Sequence, residues 1–123
     1  MSIVQSHSIC FSLSSNRLYI SMNVLRNIGS PNYIQVLISR DKTNLFIRGC
    51  DKKEMPCFAV PNRVYEDTEY KYVLRKVAFA EAISLTNQWD KRGSYRLYGV
   101  PLADRVIRFT FSKAERIDGS FRL

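Results

Sequence analysis

The chain predicts an α+β fold: a small β-barrel-like domain of hairpins with two helices, in which a strand–helix–hairpin unit occurs twice. Three observations point there. Apolar residues alternate with polar ones in several short runs bounded by turn-forming residues, which is the period of half-buried strands. Two other windows carry apolar residues at helical spacing, each closed by a glycine. The order of elements then recurs, over 17–48 and again over 72–111, with a linker at 49–71 between the copies. With 123 residues, 46% of them hydrophobic, the whole of 1–123 is expected to form a single domain around its own core.

In chain order, Ser8–Leu13 alternates, with Ile9, Phe11 and Leu13 on one face. Ser14-Ser15-Asn16 is a turn, and Arg17–Ile20 resumes as strand, making a first hairpin. Ser21 suits a helix N-cap, its hydroxyl able to accept a free backbone N–H. Met22, Leu25 and Ile28 follow at helical spacing, Gly29 suits a left-handed C-cap, and Pro31 prevents continuation. A second hairpin runs from Tyr33 to Arg48 about the polar turn Arg40–Asn44, with Ile34, Val36, Ile38, Leu45 and Ile47 inward and Phe46 and Arg48 outward. Gly49–Asn62, with Pro56 and Pro61, reads as a linker or excursion rather than core, and Val64–Tyr70 is acidic. Tyr72–Arg75 is a strand. Val77 to about Trp89 is a helix whose buried stripe is Ala78, Ala82, Leu85 and Trp89, widened by Phe79 and Ile83. Lys91-Arg92-Gly93 ends it. Tyr95–Val100 and Arg105–Phe111 form a third hairpin about Pro101–Asp104, and Ser112–Arg116 adds a helical turn.

Aligned by element, Tyr33 and Tyr95 open equivalent hairpins. Inward Val36 and Ile38 correspond to Tyr98 and Val100, and Leu45 and Ile47 to Ile107 and Phe109. A true pseudo-two-fold duplication would pack hairpin against hairpin, because one such unit has too little core alone.

The first unit, on Leu18-Tyr19-Ile20, Val24-Leu25-Arg26-Asn27-Ile28-Gly29, Ile34-Gln35-Val36-Leu37-Ile38 and Leu45-Phe46-Ile47-Arg48, resembles the swapped-hairpin domain of AbrB-, MazE- and SpoVT-like proteins over about a third of the chain. The resemblance implies a β-barrel of interleaved units that binds DNA through basic residues near the first strand and adjoining loops. By position it implicates Arg17 and Arg26, and more loosely Arg40 and Lys42. Two positions depart from the family pattern: Ser21-Met22 stands where Pro-Lys or Pro-Arg is usual, and Pro31-Asn32 where Gly-Asp is usual.

Charge points the same way. Nineteen Lys and Arg against eleven Asp and Glu leave a formal +8, an excess that attracts phosphate-rich partners. The expected phosphate-contacting set is Arg17, Arg26, Arg40, Lys42 and Arg48, with Lys91, Arg92 and Arg105 as counterparts in the second unit. The mechanism is charge neutralisation plus shape readout, since no recognition helix is evident. DNA is the expected partner, with RNA as a variant, and a homodimer or an acidic protein as further partners. The alternative is a non-enzymatic protein-interaction or structural module, as of a mobile element. For any one cation the plainer account is a solvated sheet face or an edge-blocking charge. Most of the aromatics, Trp89 among them, belong to the core on this reading.

No catalytic signature is present: no P-loop, no GxGxxG and no GxSxG. His7 is the single histidine and has no evident partner. Glu66, Asp67 and Glu69 lack a companion acidic motif, and Cys10, Cys50 and Cys57 lack metal-ligand spacing. The chain is therefore expected to be non-enzymatic, with no cofactor or metal and with free thiols. It carries no signal peptide and no apolar run of about 20 residues, so a cytoplasmic protein that does not span a membrane is expected.

Overall fold

The computed structural model describes residues 7–54, 56–66, 72–75 and 78–117. Among these, the strands are β1 (Ser8–Ser12), β2 (Arg17–Ile20), β3 (Tyr33–Ile38), β4 (Asn44–Cys50), β5 (Phe58–Ala59), β6 (Tyr72–Arg75), β7 (Ser94–Leu102), β8 (Val106–Thr110) and β9 (Glu115–Arg116). The helices are α1 (Met22–Asn27), α2 (Arg63–Glu66) and α3 (Phe79–Thr86), with a 3-10 turn at Phe111–Lys113. The strands join in the order β5–β3–β4–β8–β7–β1–β2–β6, with β9 beside β7, and form an antiparallel half-barrel. The α+β, barrel-like character expected from the pattern is therefore present.

β7 is the shared strand. Its first half pairs with β1, Ser94 opposite Ser12 through Tyr98 opposite Ser8, and the backbone of His7 prolongs this ladder by accepting the N–H of Gly99 at 2.6 Å. Its second half turns to β8, Gly99 opposite Phe109 through Leu102 opposite Val106. At the changeover the inner face has no room for a side chain. A Cβ on Gly99 would lie 2.4 Å from Cγ2 of Ile107 and 2.6 Å from the ring of Phe109. Pro101 falls within β7 rather than in a turn, on a stretch whose β1 edge has run out, so its missing N–H breaks no ladder.

The two hairpins expected at 33–48 and 95–111 both form, and they join edge to edge through β4 and β8. Leu45 stands opposite Phe109 and Ile47 opposite Ile107, all four buried. The correspondence of Val36 and Ile38 with Tyr98 and Val100 does not hold. Tyr98 and Val100 alternate with buried Tyr95 and Leu97 on the other face of β7, and Val100 is 50% exposed. The cause is the placement of Gly99 on the inner face, which sets the parity of its neighbours.

α1 forms as expected, burying Val24 and Leu25 with Ile28 beyond its end. Gly29 has φ +91°, and the N–H groups of Ser30 and Gly29 donate to the carbonyls of Leu25 and Arg26, closing the helix in a Schellman motif. Ser21 occupies the N-cap position but caps nothing in its own helix: its hydroxyl accepts the N–H of Ser8 at 3.3 Å, tying α1 to β1. α3 departs from its expected stripe. Its buried residues are Ala80, Ile83 and Ser84, whereas Ala78 and Ala82 are exposed and Leu85 is 63% exposed. The helix stops at Thr86, so Trp89 leaves the helical period that had set the stripe. Instead Trp89 stacks on Tyr95 at 4.6 Å between ring centres and meets Phe11 and Phe111 edge-on or tilted.

The stretch expected as linker is partly structural. Gly49 and Cys50 complete β4, Phe58–Ala59 pairs with β3, and Val60 and Val64 enter the core. Its end at 67–71, the carboxylates Asp67 and Glu69, the helix start at Val77 and the polar tail after Ile117 lie outside the described residues. Ser112–Arg116 is split between the 3-10 turn and β9.

Gly99→Ala is expected to lower the unfolding free energy by about 1–3 kcal/mol through overpacking, read from urea melts. Tyr65 donates its hydroxyl to the carbonyl of Pro31 at 2.6 Å, and burial pushes the phenol up to about 12. Its folded value exceeds the ordinary value of 10. Its contribution to stability is thus full below pH 10 and is lost as pH rises from 10 to about 12. Tyr65→Phe should cost about 1 kcal/mol at neutral pH. The difference from the wild-type chain should shrink over that alkaline window.

Candidate nucleic-acid interface

Alternation puts one side of each strand into the core and leaves the other outside. The seven strands β1–β4 and β6–β8 hold five arginines, Arg17, Arg48, Arg75, Arg96 and Arg108, and no lysine, aspartate or glutamate. Each arginine sits between or beside buried neighbours of opposite parity, such as Leu18, Ile47, Leu74, Leu97 and Ile107, so all five point outward. Among the described residues none of the five forms an ion pair.

Register arranges them in rows. Arg17 lies directly opposite Arg75 across β2 and β6, continuing a row with Ser12 and Ser94. The next row runs Arg96, Cys10, Tyr19 and Val73. Beyond Gly99, Leu37, Phe46, Arg108 and Val100 form one row, and Gln35, Arg48 and Val106 another. Arg48 donates to Oε1 of Gln35 at 3.3 Å, and Gln35 Nε2 donates to the carbonyl of Glu54, which holds Arg48 over the sheet. Glu115 on β9, opposite Arg96, is the carboxylate in register with this set.

The other expected cations sit on turns and helices. Arg40 and Lys42 flank Asp41 at the tip of the β3–β4 hairpin. Asp41 accepts from the Ser39 hydroxyl at 2.7 Å, the Thr43 hydroxyl at 2.7 Å and the Thr43 N–H at 3.1 Å. These bonds hold its carboxyl below the usual value and stiffen the tip. Lys91 and Arg92 are exposed on the loop before β7, organised by Asp90, which accepts the Arg92 N–H and pairs with Arg116 at 3.1 Å. Arg26 is exposed on α1. The expected set is thus not one cluster: Arg17 and Arg48 share the outer sheet face, Arg26, the Arg40–Lys42 tip and the Lys91–Arg92 loop project from three other places, and Arg105 is engaged elsewhere.

Arg105 is engaged inside the fold. Its Nε donates to the carbonyl of Ile28 at 2.8 Å, and its terminal nitrogen pairs with Asp51 at 3.0 Å. Its own carbonyl accepts the N–H of Gly49 at 3.0 Å. The guanidinium fills the space beside Gly29, where a Cβ would lie 2.9 Å from Nε. One residue therefore fastens the end of α1, the end of β4 and the β7–β8 turn.

Arg75, Arg96 and Arg108 were not in the expected set, although the sequence carried a signal for them. The runs of β1–β4 and β6–β8 lack carboxylates, and the five that hold a cation, β2, β4, β6, β7 and β8, bear it at an outward position. Among the described residues no group of three His, Cys, Asp or Glu is placed to hold a metal ion. Cys50 is buried, which pushes its thiol up, while Cys10 and Cys57 are half-buried. Among the described residues no helix is long and apolar enough to cross a membrane.

Arg105→Ala should destabilise the fold by about 1–3 kcal/mol, because it takes the donor from the Ile28 carbonyl; the ion pair to Asp51, which is 73% exposed, adds little. Arg75→Thr should do the reverse. Like charges directly opposite repel, so relief of the Arg17–Arg75 pair is expected to raise stability by about 0.2–1 kcal/mol at low salt and less at high salt. Chemical denaturation at two ionic strengths checks both. No family model, curated protein or solved structure matches the chain.

Proposed function

We propose that this is a non-enzymatic nucleic-acid-binding protein that neutralises phosphates with the outer face of its sheet. One observation carries the reading: seven strands that bear five outward arginines and no carboxylate. A face meant only for solubility mixes both signs, which also pair across strands. Arginine without lysine suits phosphate, because the planar guanidinium makes forked bonds to it and stacks on bases. Arg40 and Lys42, on a stiffened hairpin tip, extend the reach of the face.

The resemblance of 17–48 to the AbrB type supports DNA as the polymer and transcriptional regulation as the role. Within that reading the recurrence of strand, helix and hairpin makes one chain imitate the dimer of that type. A second reading, a protein-interaction module, draws on the exposed apolar residues Leu37, Val100 and Leu102, at 41%, 50% and 41%.

The test is a salt titration of binding to a mixed-sequence duplex and to matched single-stranded DNA and RNA. Micromolar or tighter binding with a steep slope is expected. The double reversal Arg17→Glu, Arg75→Glu should weaken binding and flatten the log–log slope by roughly 1.5, about 0.7–0.9 for each lost phosphate contact. Unchanged binding sinks the assignment. An equal loss from reversing Lys52 and Lys53, which are exposed and lie off the sheet, shows net charge acting alone and favours the second reading.

A further inference from the structure

The outer face is apolar as well as basic. Phe46 is half-buried on β4, directly opposite Arg108 on β8 and two residues from Arg48. Directly opposed residues hold their Cβ atoms about 5 Å apart, within reach of one stacked base. The row continues to Val100 and Leu37, 50% and 41% exposed, and no carboxylate lies in it. A surface built for phosphates alone has no use for these groups. Leaving them in water forgoes roughly 25 cal/mol for each Å² of apolar surface, which flat nucleobases would cover.

The breadth of the face decides which form of nucleic acid fits. β3, β4, β8 and β7 lie side by side, so their outer axes are about 14 Å apart. The major groove is about 12 Å wide and admits a helix or a two-stranded ribbon, not four strands. A duplex therefore meets this face only with its backbone and leaves Phe46 without a base. A single strand drapes over a sheet with its bases turned inward, stacking on aromatic rings while cations track its phosphates. β4, in the middle of this face, gives that track a length of about 20 Å from Asn44 to Cys50.

We propose that the outer face of β3–β4–β8–β7 binds unpaired nucleotides, a base stacking on Phe46 with Arg48 and Arg108 on the flanking phosphates. This rests on the nucleic-acid reading above but not on the AbrB resemblance, whose hairpin contacts fall on Arg40 and Lys42 at the ribbon tip.

The experiment measures anisotropy of labelled 20-mers, as single-stranded DNA, single-stranded RNA and duplex DNA, with the full chain and with Phe46→Leu, Phe46→Trp and Arg40→Ala/Lys42→Ala. Leucine keeps the apolar packing of a half-buried site, so the fold is retained while the ring is lost. Single strands should bind about tenfold or more tighter than duplex. Phe46→Leu should weaken single-strand binding by about tenfold, and Phe46→Trp should restore it. Duplex binding should respond instead to Arg40→Ala/Lys42→Ala. Single-strand affinity unmoved by Phe46→Leu, or duplex bound as tightly as single strands, overturns the proposal and leaves the nucleic-acid reading standing. No binding of any of the three polymers at low salt overturns both.

Discussion

The fold depends on β7 passing from one set of partners to another. Its first half belongs to the β1–β2–β6 side and its second half to the β8–β4–β3 side, so every strand of the half-barrel is joined through it. The passage is feasible because Gly99 presents no side chain to the interior. Ile107 and Phe109 close over that point, and a methyl group there would lie within 2.6 Å of both. The same residue sets the parity of the strand, placing Tyr98 and Val100 outside, where the hairpin pattern alone had put them inside.

On the proposed reading, function and stability oppose each other on the outer face. A sheet of alternating residues gains its stability from the inner side, here Ile9, Phe11, Leu18, Leu45, Ile47, Leu97, Ile107 and Phe109. The outer side is free to carry charge, and cross-strand pairs of opposite sign would add a little. This chain does otherwise: Arg17 faces Arg75, and among the described residues the carboxylates lie on turns, loops, helices and β9. On the reading proposed above, polyanionic phosphate supplies the anion that this pattern lacks.

Charge alone does not assign a role to a cation, as Arg105 demonstrates. Its guanidinium satisfies the last carbonyl region of α1 and pairs with Asp51, in space that the absence of a Gly29 side chain leaves open. The Schellman closure of α1 and this clamp act on the same few atoms, so the strand–helix–hairpin unit and the second hairpin are held in fixed relation. Arg48 and Arg108, of the same residue type, keep their heads on the sheet surface and are available to a ligand.

The sequence by itself determined the elements and most of their inward faces. The alternation in 8–13, 17–20, 33–38 and 45–48, the Gly29 terminus of α1 and the hairpins at 33–48 and 95–111 were legible, because each depends on the period or conformation of neighbouring residues. The outward direction of Arg48 was legible for the same reason. What only the tertiary structure decided was long-range. It placed Arg17 opposite Arg75, spent Arg105 on Ile28, drew Val60 into the core and took Trp89 off its helix to stack on Tyr95. It also turned α3 so that Ala80 and Ile83, not Leu85, face inward. Periodicity tells which residues share a face. Which faces meet, and which cations come together, is set by the register between strands distant in sequence and by the packing of the core they enclose.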